Sequence, residues 1–122
     1  NLQKIELNWG YVENISATTT SITFDYVIDL GEDCVNATFD NYGMEYGFYY
    51  HTQPNPSENS HLGKVFGFID DSFWGYCSLE EPKFSQTFIV QNLQPRTTYY
   101  FRFYAKPQNK IIYGQTFSVT TK

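Results

Sequence analysis

Two histidines, two cysteines and thirteen carboxylates are the groups in this 122-residue sequence that could carry acid–base, nucleophilic or metal chemistry. Their spacing argues against each. No His-Glu-x-x-His and no Gly-x-Ser-x-Gly pattern occurs, so the two commonest short signatures of zinc and serine hydrolysis are missing. His51 falls on the outward face of a predicted strand, where a solvated imidazole is the ordinary reading; His61 has no catalytic pattern around it. The paired carboxylates Asp70-Asp71 and Glu80-Glu81 lie in polar stretches. General acid–base work needs two carboxyls held in different environments, and adjacent loop residues read instead as solvated charge. Asp29, Glu32 and Asp33 could gather oxygens around calcium, but without the spacing of an EF-hand. The matches Asn14-Ile15-Ser16 and Asn36-Ala37-Thr38 to the N-glycosylation pattern are three residues long and carry little weight. The expectation is a protein that is not an enzyme and has no catalytic residue, metal or cofactor.

Charge narrows the partners. Thirteen acidic against eight basic residues give a net charge of −5, and the lysines and arginines are scattered. Phosphate backbones and anionic lipid surfaces are bound by clustered cations, so nucleic acid is not an expected partner. No apolar run approaches the roughly 18 residues of a spanning helix, so no membrane insertion by this segment is expected. The sequence starts at Asn1 without a basic-then-apolar leader, which reads as a removed signal segment or a domain cut from a longer chain.

The elements that must position these residues are strands. Tyr, Phe and Trp make up 24 of the 122 residues, and the β-formers Val, Ile, Thr, Tyr, Phe and Trp number 50 against 32 for Ala, Leu, Met, Glu, Gln, Lys and Arg. A helical protein would reverse that balance. Ile22, Phe24, Tyr26, Ile28 and Leu30 alternate with Thr23, Asp25, Val27 and Asp29, the pattern of a half-buried strand. Met44, Tyr46, Phe48 and Tyr50 alternate with Glu45, Gly47, Tyr49 and His51 over 43–52, and Pro54 and Pro56 then end the run. Leu2–Ile15 reads as one bent edge strand or two short ones. Val65, Phe66, Phe68 and Ile69 suggest a short strand, and further strands are predicted over 84–91, 97–106 and 110–121. Pro107-Gln108-Asn109 makes the hairpin connection between the last two. About seven short antiparallel strands in one domain over 1–122, with long loops at 31–42 and 53–83, describe an all-β sandwich.

The run Leu93-Gln94-Pro95-Arg96-Thr97-Thr98-Tyr99-Tyr100-Phe101-Arg102-Phe103-Tyr104-Ala105 resembles the E–F corner and F strand of fibronectin type III domains. Tyr46–Tyr50 with Thr52–Ser57, and later Ile112–Thr121, resembles the fibronectin III-like modules of secreted Bacteroidetes proteins. The likeness covers roughly 12–122, with 31–42 and 61–83 poorly matched. It implies an immunoglobulin-like sandwich with Tyr99 as the tyrosine corner. The strand-B tryptophan of animal modules is absent, leaving Phe24 or Tyr26 to fill its space, and no Arg-Gly-Asp occurs.

The resemblance also implies that Cys34 and Cys77 lie in loops sharing one end of the sandwich, where they would form a disulfide in an exported domain. It places strands C and F side by side, so Tyr49, Tyr100 and Tyr104 would form a stripe on the solvent face beside Arg102 and His51. Phe73, Trp74 and Tyr76 would join it from the long loop. Such rings suit sugars or proteins, although they could equally be cross-strand pairs or lie beneath 61–83. The expected function is a non-catalytic, extracytoplasmic spacer or interaction module beside neighbouring domains of a larger surface protein. The alternative is a carbohydrate-binding module, whose partner would be a glycan.

Overall fold

The computed structural model describes residues 5–7, 10–29, 44–69, 83–106 and 110–122. Within them the chain forms eight strands: β1 (Ile5–Leu7), β2 (Gly10–Ala17), β3 (Ile22–Asp29), β4 (Met44–His51), β5 (Gly63–Ile69), β6 (Lys83–Val90), β7 (Thr98–Lys106) and β8 (Ile112–Thr120). They make two four-stranded sheets, in the order β1-β2-β3-β6 and β5-β4-β7-β8, with every neighbouring pair antiparallel. The two sheets form a β-sandwich. The N-terminal stretch resolves into two short strands that pair with each other, Leu7 opposite Gly10, which accounts for the eighth strand. The short strand suggested by Val65–Ile69 is β5, paired with β4 over seven consecutive residues, so the span 53–83 is not loop throughout.

Period-two alternation builds the core. Val12, Ile22, Phe24, Tyr26, Ile28, Tyr46, Phe48, Phe88, Val90, Tyr99, Phe101, Phe103 and Phe117 bury together between the sheets. Both Phe24 and Tyr26 are fully buried at its centre. Phe24 meets Phe48, Phe101 and Phe117 at centroid distances of 5.1, 5.4 and 5.2 Å, each pair edge to face. That geometry points the positive edge of one ring at the negative face of the next. A core of phenyl rings therefore interlocks with orientation as well as volume.

At one end of the sandwich the Tyr99 hydroxyl accepts a 2.8 Å hydrogen bond from the Gln94 backbone N–H. Buried Thr121 ties the end of β8 to the same corner: its hydroxyl donates to the Gln94 carbonyl and accepts from the Thr97 N–H at 3.0 Å. A side-chain hydroxyl here satisfies backbone groups that the turn leaves without a ladder partner. Among the described residues no helix is long and apolar enough to cross a membrane.

Candidate functional site

The outer face of the β5-β4-β7-β8 sheet is where the sequence placed its surface aromatics. In the observed register Gly47 lies opposite Tyr104, Tyr49 opposite Arg102 and His51 opposite Tyr100, so β4 and β7 do share this face. The exposed stripe is nevertheless overturned. Tyr49 is 2% and Tyr104 0% exposed, and their rings stack on each other with centroids 4.3 Å apart. Tyr100 and Arg102 are half-buried. Trp74, Tyr76 and Phe73 lie outside the described residues, as do Cys34 and Cys77.

The cover is the segment that follows β4. Residues 52–62 turn back over the tyrosine stack, and the segment's own chemistry explains why. Two prolines keep the chain out of a ladder, Asn55 between them takes a left-handed backbone (φ 60°), and Pro56 is fully buried. Ser57 and Ser60 exchange backbone bonds of 2.8 and 3.1 Å, closing a tight turn. The His61 ring then lies 4.7 Å from Tyr49, while its Nδ1 donates to the Ser57 carbonyl at 2.8 Å. His51 is also occupied locally, its Nδ1 accepting from the Gln53 N–H at 3.2 Å. Both histidines therefore make local contacts within or beside the cover.

Polar groups pin this cover from β7 and β8. Arg102 stacks on the Tyr113 ring, 4.1 Å from its centroid, and donates to the Pro56 carbonyl at 3.3 Å. The Tyr113 hydroxyl accepts from the Glu58 N–H at 2.9 Å, and Lys106 pairs with the Glu58 carboxylate at 2.8 Å. That bond raises the Lys106 ammonium above its ordinary range, against a small opposing effect of burial. Beneath the cover, Tyr104 donates a short hydrogen bond to Glu45, and Lys64 donates to the same oxygen at 2.9 Å. Burial alone would push the Glu45 carboxyl up; the bonds from Tyr104 and Lys64 and the nearby ammonium charges outweigh it and hold the carboxyl low. Tyr104 is driven strongly upward, first by burial and then by the Glu45 carboxylate. No three His, Cys, Asp or Glu side chains gather to hold a metal among the described residues.

What the cover leaves open is the β5 margin. Val65 packs on the core, while Lys64, Phe66 and Phe68 alternate onto the outer face. Phe66 is 45% and Phe68 59% exposed, and Leu62, just before the strand, is 58% exposed. The two rings meet edge to face at 5.9 Å, and the Lys64 ammonium sits 4.6 Å over Phe66. Sequence reasoning read this run as a short strand, which β5 is, but did not single out its phenyl rings as a surface. The signal it held was the period-two spacing of Phe66 and Phe68, with Val65 and Gly67 taking the inward positions.

Fold and site together define a two-sheet antiparallel sandwich module with one face sealed by its own loop and an aromatic margin left open. No protein-family model matches the chain and no curated protein does. Among solved structures it is similar to the sensor domain of the anti-sigma factor RsgI4 of Pseudobacteroides cellulosolvens, at 17% identity, covering 100% of both chains with a TM-score of 0.45.

Proposed function

We propose that this chain is a non-catalytic, extracytoplasmic interaction module of the fibronectin type III-like kind, one domain of a larger protein, working by contact along β5. The single observation that carries the contact surface is the strip Leu62, Phe66 and Phe68, three large apolar side chains about half exposed on β5 and the residue just before it. Contiguous apolar surface beside polar groups is characteristic of protein contacts. The sheet orders and the Tyr99–Gln94 bond support the type III-like reading, although a scaffold of this kind hosts many roles. Of the surface on which the carbohydrate-binding alternative rested, Tyr49 and Tyr104 are buried beside the 52–62 segment, Tyr100 and Arg102 are half-buried, and Trp74 and Tyr76 lie outside the described residues. Phe66 and Phe68 stand nearly perpendicular, at 85°, which gives a sugar ring no shared plane to stack on.

Photo-crosslinking tests the reading. With p-benzoylphenylalanine in place of Phe68 in the intact parent protein, a discrete protein adduct is expected. Retention of the wild-type chain on polysaccharide gels, lost in a Phe66→Ala, Phe68→Ala variant, would replace it with the carbohydrate reading. No adduct and no retention would overturn β5 as the contact surface.

A further inference from the structure

We infer that the partner fitting the β5 margin is a second copy of this chain, its own β5 pairing antiparallel across a two-fold axis at Phe66. The inference rests on the reading of β5 as a contact face and goes beyond it by naming the occupant and the register.

Among the described residues β5 is the terminal strand of its sheet, and a terminal strand presents a row of unpaired N–H and C=O groups that template a further strand. The usual protections are missing from the strand itself. Gly63–Ile69 contains no proline, its pairing with β4 runs through seven residues without a register shift, and its one charge, Lys64, lies on the outer face against Phe66. The sheet's other terminal strand, β8, differs: its pairing with β7 is interrupted between Arg102 and Tyr104.

Self-complementarity sets the occupant. A seven-residue strand pairs with itself over its whole length only when the two-fold axis passes through its fourth residue, which is Phe66. In that register Phe66 faces Phe66 of the partner copy, Gly63 faces Ile69, Val65 faces Gly67 and Lys64 faces Phe68. All four phenyl rings fall on one face, as cross-strand aromatic neighbours. Each ammonium stays over Phe66 of its own chain and on Glu45, so it faces a phenyl position of the partner copy instead of a like charge. The two Lys64 positions stand four residues apart along the strands, roughly 13 Å, beyond the Debye length at physiological ionic strength. A chain of net charge −5 would repel its copy through most surfaces. This strand is a margin where no carboxylate of its own meets the partner. The contact is isologous, so it closes at two copies, and it joins the two outer sheets into one of eight strands.

Sedimentation equilibrium of the purified chain from about 1 µM to 1 mM tests this. A closed monomer–dimer equilibrium is expected, with the dissociation constant raised at least tenfold by Phe66→Lys and by Phe68→Lys. Ile89→Lys, at a comparably exposed position on β6, leaves it unchanged. Circular dichroism of each variant checks that the fold is intact. A benzoylphenylalanine at position 66 should give a dimer adduct joined to β5 of the second chain. A monomer throughout the range, an equilibrium unmoved by both lysine substitutions, or association growing beyond two copies would each overturn the inference. If the chain stays monomeric while position 68 in the parent crosslinks a different protein, self-pairing fails and the module reading stands.

Discussion

Three buried phenols show that the same side chain does opposite things in different settings. Tyr104 donates to a carboxylate, whereas the buried hydroxyls of Tyr26 and Tyr46 have no hydrogen-bond partner among the described residues. A hydrogen bond to a charged group contributes roughly 1.5–3 kcal/mol, and a buried orphan costs about 1–3. Tyr104→Phe should therefore lower the free energy of unfolding by about 2 kcal/mol, while Tyr26→Phe should leave it unchanged or raise it by up to about 1; urea midpoints of the two variants check the opposite signs. Acid stability follows from the carboxyls. Asp25 is held low by hydrogen bonds from Thr87 and then Asn14, and Glu45, despite burial, by Tyr104 and Lys64. A folded-state pKa below the unfolded one contributes stability that is present above about pH 4–5 and is lost as pH falls through the folded value. The urea midpoint should drop below about pH 4, with Glu45→Gln flattening part of that limb.

At the scale of elements, the pairing of β4 with β5 depends on a close approach. A Cβ at Gly47 would lie 2.0 Å from the Val65 carbonyl oxygen and 2.7 Å from the Phe66 Cα. Neither is a flexible side-chain end. Gly47→Ala should push β5 off the sheet, costing more than about 3 kcal/mol, and hydrogen exchange over residues 63–69 should accelerate ahead of β3 and β7. The cover behaves differently. Its ion pair between Lys106 and Glu58 is partly exposed, with side chains 26% and 47% accessible, and such pairs contribute little. Glu58→Ala should change stability by less than about 1 kcal/mol. The buried Pro56 and the His61 ring against Tyr49 hold the segment by packing. The alternation in β3, β4 and β7 was legible in the sequence because large apolar side chains recur at every second position. The fate of Tyr49 and Tyr104 was not: period two names the face a side chain points to, and only a later segment decides whether water reaches it.

Across the whole molecule, alkali should act cooperatively. Tyr26 is pushed strongly upward by burial and then by its neighbour Tyr46; Tyr46 itself is pushed up to about 12 by burial. Tyr104 moves the same way. A raised folded-state pKa means stability is intact below the unfolded value near 10 and is lost as pH rises past it. Absorbance at 295 nm should show part of the eleven tyrosines ionising only as near-ultraviolet dichroism collapses. The Cys34–Cys77 pairing stands as a proposal at this scale too. Closing a loop of about 40 residues would contribute roughly 4 kcal/mol in the chain-entropy model; an unchanged mass after alkylation without reductant supports it, and two alkylated thiols exclude it.

The sequence by itself determined that this is an antiparallel sandwich and that Phe24, Tyr26, Phe48, Phe101 and Phe103 line its core, because strand period and ring content are local properties of the chain. Only the tertiary structure decided which surface is open. It closed residues 52–62 over the tyrosine stack and left Phe66 and Phe68 at the margin, since exposure depends on what distant segments pack above a strand. Tyr49 and Tyr104, expected on the open face of β4 and β7, thus became interior, and Phe66 and Phe68 of β5 became surface.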